Sequence, residues 1–325
     1  MKICDHLLGK INFEPDYCAQ PCCDIRATGV PSFALSGTKI SMSEYKTHFD
    51  TSLMQLQKQS GLCAGCHELY TADVSLPDLL RKPLIFQNVS INHHRYFCNC
   101  RCVYCELWKR KSPNKPYNVL PYLQSLHTQN ALATSCAFSW GGGEPTILKE
   151  FDKAAHWIYE QGYLQYIHTN ALIRSKAIEA LLPGGKTWIN VSLDAGTAKT
   201  YCEIKGVDKF NTVISTLEHY STIGAGRNIL DLKYIIFEAN NTLPEIEAFL
   251  QICKRLKIPQ VQYSFNFAEV NRKAVSQNSL LAAIFLTGRA KALEIACQPF
   301  FISPEYLAKI KACEPHFIEK FGGKF

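Results

Sequence analysis

Cys98, Cys102 and Cys105 stand in the run Cys98-Asn-Cys-Arg-Cys102-Val-Tyr104-Cys105, a Cys-x3-Cys-x2-Cys spacing. Thiolates are soft ligands and select zinc or iron–sulfur clusters. Three of them hold three irons of a cubane cluster and leave the fourth open to a ligand that is not protein. Clusters closed by four cysteines mainly carry electrons. An open iron can bind and activate a small molecule. The chain has 15 cysteines in 325 residues, so a triplet can arise by chance and a second signal is required.

That signal is Ser139-Trp-Gly141-Gly142-Gly143-Glu144-Pro145-Thr146. A strand-like run leads into glycines and then Glu-Pro. With the cysteine loop upstream, the chain resembles the radical SAM (S-adenosylmethionine) superfamily. That family sets a Cys-x3-Cys-x2-Cys loop after the first barrel strand and a Gly-Gly-Glu-Pro-like turn after the second. Tyr104 matches the aromatic residue that usually precedes the third cysteine. The resemblance implies that Cys98, Cys102 and Cys105 hold a [4Fe-4S] cluster and that its open iron chelates S-adenosylmethionine. One electron then cleaves a carbon–sulfur bond, and the resulting 5′-deoxyadenosyl radical abstracts hydrogen from a substrate carbon. The resemblance also assigns cofactor contacts to Tyr104, Gly142, Gly143, Glu144 and Pro145. Glycines suit a backbone that must pass close to a ligand. Thr169-Asn170 resembles the family's Thr-Asn-Gly, with Ala171 where glycine is common. Ser192-Leu-Asp194 resembles its Ser-Leu-Asp segment, whose polar groups face the ribose and methionine. Lys205 is a candidate partner for the methionine carboxylate.

The elements must carry these motifs to one end of a sheet. Strand-like runs at 84–91, 136–140, 164–169, 188–193, 230–236 and 261–265 alternate with helical periodicity at 148–161, 173–182, 210–220 and 244–256. Six β/α units predict an α/β fold, a partial (β/α)6 TIM-like barrel of the radical SAM type. In such sheets chemistry gathers at the carboxyl ends of the strands, where both motifs fall. The expected division is 1–80, a small cysteine-rich N-terminal domain; 81–270, the barrel; and 271–325, a helical segment broken near Pro299 and Pro304.

Apolar content of 47% and charged content of 19% are ordinary for a globular chain. The net charge of +7 is dispersed, and the one dense cluster, Lys109-Arg110-Lys111, reads as a solvated face. This argues against nucleic acid as a partner. No apolar run reaches the length of a membrane helix, and the first residues lack a leader pattern. Many cysteines without a leader point to a reducing, cytoplasmic setting and to metal binding.

Residues 1–66 add Cys4, Cys18, Cys22, Cys23, Cys63 and Cys66. The string 11–16 followed by Pro21-Cys22-Cys23 resembles the auxiliary-cluster hairpin of SPASM and twitch modules, here placed before the barrel. The resemblance implies an auxiliary [4Fe-4S] cluster on Cys4, Cys22, Cys63 and Cys66, with Cys23 as an alternative to Cys22. Four cysteines in two groups suit tetrahedral zinc equally well. Cys100 and Cys136 are candidate hydrogen donors for a radical epimerase. His93-His94 reads as a polar loop pair.

The functional expectation is a radical SAM oxidoreductase or modifying enzyme. Its substrate would be a sugar-like alcohol or a peptide, and its electron donor a flavodoxin or ferredoxin. A redox-neutral epimerase or mutase is the alternative. A non-catalytic zinc or iron–sulfur binding protein is the alternative from a different class.

Overall fold

From residue 86 onward the chain alternates strand and helix, as its periodicity predicts. The structure, a computed structural model, describes residues 1–21, 32–57, 69–110, 114–224, 229–271 and 274–321. Two units divide it: Met1–Phe97 with Lys109–Tyr166, and Cys98–Trp108 with Ile167–Phe325.

The first unit contains β1 (Lys2–Ile3), α1 (Asp5–Gly9), β2 (Lys10–Glu14), β3 (Cys18–Gln20), β4 (Phe33–Ala34), α2 (Met42–Gln57) and β5 (Tyr70–Thr71). It continues with α3 (Leu76–Arg81), β6 (Phe86–Ile91), α4 (Leu120–Thr128), β7 (Leu132–Trp140) and α5 (Phe151–Glu160). The division falls within β8 (Leu164–Thr169). The second unit contains α6 (Lys176–Leu181), β9 (Thr187–Ser192), α7 (Ala198–Lys205), α8 (Phe210–Ile223), β10 (Leu230–Ile236) and α9 (Leu243–Arg255). After these come β11 (Gln260–Phe265), α10 (Phe267–Asn271), α11 (Gln277–Ala292), β12 (Ala296–Pro299) and α12 (Pro304–Phe321).

In the first unit β2, β6 and β7 run parallel, and β3 and β4 extend the β2 edge antiparallel. Period-two alternation assigns the faces. Phe13, Ile91 and Trp140 lie opposite one another in register and are fully buried; Asn12, Ser90 and Ser139 share the other, polar face. The apolar face meets α5, whose Phe151, Ala154, Ala155 and Ile158 recur at helical spacing. In the second unit β9, β10, β11 and β12 are all parallel. Ile246, Phe249, Leu250 and Cys253 form the buried stripe of α9, and Phe249 packs on Tyr234 at 4.5 Å.

All six strands expected from sequence are present, and the fold is the α/β class predicted. The short strands β1 to β5 and the last strand, β12, were not read from sequence, and two of them extend the parallel arrangement. Residues 10–14, read largely as part of an auxiliary-cluster hairpin, form β2 and add a parallel strand beside β6. Residues 296–299, read as helix broken at proline, form β12; Pro299 is tolerated there because the strand lies at the sheet edge. Among the described residues no helix is long and apolar enough to cross a membrane.

Candidate cluster-binding site

Cys98, Cys102 and Cys105 lie on one loop of the second unit. All three are free thiols, Cys98 exposed and the others partly buried. The loop rests on the end of α7. The Arg101 N–H donates to the Lys205 carbonyl at 2.9 Å, and the Val103 N–H to the Ile204 carbonyl at 2.9 Å. Those carbonyls belong to a last helical turn, which has no intrahelical donors for them. Gly206 ends the helix at φ 67°, and a Cβ there would lie 2.8 Å from the Arg101 carbonyl oxygen. The Cys102 carbonyl accepts the Cys105 N–H at 3.1 Å and the Trp108 indole N–H at 3.0 Å. Both amides flanking Cys102 and its own carbonyl are therefore fixed.

Cys100 lies inside the loop but outside the motif and is 1% exposed. Hydrogen bonding with the Cys102 and Cys98 sulfurs, together with burial, pushes its thiol strongly upward. Cys102 is shifted the other way. The Cys100 hydrogen bond is the main cause, and the Lys205 ammonium assists against the opposing effect of burial. Burial pushes Cys105 up. Three thiols on one anchored loop, one of them biased toward thiolate, fit the donor set that an iron–sulfur cluster requires.

Tyr104, Asp194 and Lys205 form a buried group under this loop. The Tyr104 hydroxyl donates to Asp194 Oδ2 at 2.8 Å and accepts from Lys205 Nζ at 2.9 Å. Lys205 also pairs with the same carboxylate oxygen. Asp194 Oδ1 accepts the Ile235 N–H at 2.8 Å. Asp194 is fully buried and Lys205 is 2% exposed. Tyr104 stacks on Phe237 with ring centroids 5.0 Å apart. The polar atoms that sequence pointed toward a cofactor are thus occupied by one another. Ser192 ends β9, in register with Lys233.

At the end of β8, Thr169 Oγ1 accepts the Ala171 N–H at 3.1 Å and Asn170 Oδ1 accepts the Leu172 N–H at 3.0 Å. Asn170 Nδ2 donates to Asn99 Oδ1 at 2.6 Å and points at Cys98 Sγ from 3.8 Å. Ala171 takes φ 57°, the conformation in which glycine is common at this point of the motif.

The glycine turn belongs to the first unit. A Cβ on Gly143 would lie 2.0 Å from the Phe97 carbonyl oxygen and 2.4 Å from that of His94; Gly142 has φ 91°. The Glu144 N–H donates to the Phe97 carbonyl at 2.7 Å. The Glu144 side chain accepts from the Thr146 N–H at 3.2 Å and its hydroxyl at 2.6 Å, ahead of the turn that starts at Pro145. Glu144 therefore fixes the turn locally.

The Radical SAM superfamily model matches residues 93–237. This span contains the cysteine loop, the glycine turn, Asn170 and Asp194. Residues 93–237 are thus similar to a radical SAM domain. Two curated relatives carry names of one activity. A GTP 3',8-cyclase of Pasteurella multocida is 32% identical over 138 residues, 39% of this chain and 39% of that protein. A probable GTP 3',8-cyclase of Saccharolobus islandicus is 25% identical over 188 residues, 57% of this chain and 58% of that protein. The matched spans thus cover less than two thirds of those relatives' length. Among solved structures, Streptococcus suis SuiB bound to the precursor peptide SuiA gives a TM-score of 0.56 at 15% identity, covering 96% of this chain and 75% of that one. The anSMEcpe structure with bound AdoMet and a Cp18Cys peptide gives 0.50 at 16% identity, covering 65% and 62%. At such identities the likeness concerns the fold.

Outside the radical SAM domain, Cys4 is buried in an apolar cluster with Ile3, Leu7, Phe49, Leu53, Leu56 and Leu79. Cys22, Cys23, Cys63 and Cys66 lie outside the described residues. No three His, Cys, Asp or Glu side chains among the described residues converge on a single-ion site. Cys136 is fully buried on the apolar face of β7.

Sequence reasoning missed a buried ion pair in the first unit. Glu14 Oε1 accepts from Arg95 at 2.7 Å and from Asn92 at 3.1 Å. Burial outweighs both contacts and raises the Glu14 carboxyl to about 7. The sole signal was a carboxylate on an alternating strand. His93 and His94 lie in the turn after β6, as read, but are buried there, and His93 meets Glu150 at 3.2 Å. In the second unit a cavity of about 650 Å³ is lined by Asn99, Leu172, Ile173, Asp208, Lys209 and Thr212.

Proposed function

We propose that this chain is a radical SAM enzyme whose cluster is held by Cys98, Cys102 and Cys105. The observation that carries the reading is the cysteine loop itself, three thiols fixed on the last turn of α7 within a matched radical SAM domain. When bound, the cluster and S-adenosylmethionine supply a radical able to abstract hydrogen from an unactivated carbon. The protein's part is to hold and shield. The α7 carbonyls fix the amides around Cys102. Asn170 and Asn99 set the surroundings of Cys98. Gly142 and Gly143 keep a stretch of backbone free of side chains, and Glu144 and Pro145 lock its exit. Thr169 and Ser192, at the ends of β8 and β9, are proposed cofactor contacts. Asp194 and Tyr104 are proposed to support the loop from below.

The substrate is proposed to be a sugar-like alcohol or a peptide, oxidised or otherwise modified at carbon. The mixed polar and apolar lining beside Asn99 suits a small organic substrate, and its volume lies in the usual range for such sites. The relatives named GTP 3',8-cyclase add a nucleotide to the substrates to be tried first. A flavodoxin or ferredoxin is the proposed reductant, and an auxiliary cluster on Cys4, Cys22 or Cys23, Cys63 and Cys66 the proposed second centre. The epimerase reading is weaker: Cys136 is sealed in the core and Cys100 is committed to the neighbouring sulfurs.

The test is anaerobic reconstitution, reduction and assay for 5′-deoxyadenosine. The wild-type protein is expected to release it slowly with S-adenosylmethionine alone. The triple Cys98→Ala, Cys102→Ala, Cys105→Ala variant is expected to release none. Zinc without sulfide in the purified protein would overturn the reading. Deuterium transfer from labelled sugars, peptides or nucleotides into 5′-deoxyadenosine then identifies the substrate class.

A further inference from the structure

Lys205 is an unusual residue to find where it is. Long charged side chains are almost never fully buried unless paired, and this one is 2% exposed. Burial is the largest effect and works against its charge, but the Asp194 carboxylate and the nearby thiols together hold it protonated. A buried ion pair is weak evidence for stability, since apolar residues of similar size serve as well. The pair therefore calls for another reason.

The surroundings supply one. Lys205 touches the cysteine loop twice, through its carbonyl to the Arg101 N–H and through its ammonium to the Tyr104 hydroxyl at 2.9 Å. Tyr104 stands between Cys102 and Cys105 in the motif. The ammonium also lies 5.3 Å from the centre of the Tyr104 ring. Its partner is held in turn: Asp194 has φ 57°, its carbonyl accepts from Asn240 at 2.8 Å, and Oδ1 takes the Ile235 amide. The cation thus has a fixed position against the cysteine loop, set by α7, β10 and the loop after β9.

We infer that Lys205 is a positioning residue that holds a fixed positive charge against the loop carrying Cys102 and Cys105 and makes the cluster bound there easier to reduce. A reduced cluster carries one more negative charge than an oxidised one. A buried cation near a ligand sulfur favours the more negative state, and cluster potentials follow net charge and hydrogen bonding at the sulfurs. In this assignment Lys205 does not contact the methionine carboxylate, because its ammonium is enclosed by Asp194 and Tyr104.

The inference rests on the cluster reading above, and the experiment separates the two. Wild-type, Lys205→Met, Lys205→Arg and Asp194→Asn proteins are reconstituted with iron and sulfide. Midpoint potentials are read by electron paramagnetic resonance during redox titration, without S-adenosylmethionine. Cofactor affinity is read from the spectral change on adding it. Lys205→Met is expected to shift the potential to more negative values and Asp194→Asn to more positive ones. Lys205→Arg is expected to restore the wild-type value at least in part, and cofactor affinity is expected to hold in all. Opposite shifts from the two members of one pair are not produced by a merely structural role. Should Lys205→Met alone fail to load iron, the double variant Lys205→Met, Asp194→Asn leaves no unpaired charge. It is then expected to be more negative than Asp194→Asn. Unchanged potentials, or shifts of one sign, would overturn the inference. So would a loss of cofactor affinity of about tenfold in Lys205→Met with the potential intact, which would make Lys205 a cofactor ligand. Failure of the wild-type protein to bind iron and sulfide would instead overturn the cluster reading.

Discussion

Ala171 occupies the left-handed region at φ 57° with its side chain fully buried. A residue with a Cβ is strained there by about 1–2 kcal/mol, part of which glycine's greater freedom in the unfolded chain offsets. Ala171→Gly is expected to stabilise the protein by about 0.5–1 kcal/mol, read as a higher thermal midpoint. Glu14 yields a prediction of pH dependence. Its carboxyl is raised from 4.5 to about 7, so the folded state holds more protons than the unfolded state across that window. Stability then falls as pH rises through it and levels off above. Relative to Glu14→Gln, the wild-type protein is expected to lose on the order of 3 kcal/mol between the two ends, measured by denaturant unfolding at several pH values. At this scale the thiols were legible and their supports were not. A spacing identifies Cys98, Cys102 and Cys105 at once. The pairing of Tyr104 with Lys205 joins residues 101 positions apart and has no sequence signature. Asp194 had the right position in the motif, but its contacts depend on a φ that sequence does not display.

At the scale of elements, the two tight turns are the vulnerable points. Gly143→Ala drives a methyl group into two carbonyl oxygens and is expected to destabilise by several kcal/mol or to prevent soluble expression. Gly37 has φ 61° but nothing within 4 Å of an added Cβ, so Gly37→Ala is the control, with a cost of about 1 kcal/mol in urea unfolding. Gly206→Ala crowds the Arg101 backbone as well as straining φ, so it is expected to lower iron loading more than Gly37→Ala does. The six β/α units were readable because each strand has a run of buried residues and each helix a stripe, as in α9 with Ile246, Phe249 and Cys253. The strands β2 and β12 were not. The first sits among cysteines that drew the reading toward a metal hairpin, and the second has four residues with no alternation.

For the molecule as a whole, metal content is the decisive number. One cubane corresponds to about four irons per chain and an auxiliary cluster to about four more. Iron and sulfide are expected at the higher value in the wild-type protein. The triple cysteine variant is expected to keep about half, and a Cys63→Ala, Cys66→Ala variant the other half. The loop that carries the motif has a further property. Its amides are held by carbonyls from residues 204 and 205, and its tyrosine by side chains at 194 and 205. A ribosome delivers the three thiols well before it delivers those partners. During synthesis the cysteines therefore emerge before the partners that support them, and the loop acquires its shape only once α7 has been made and has docked.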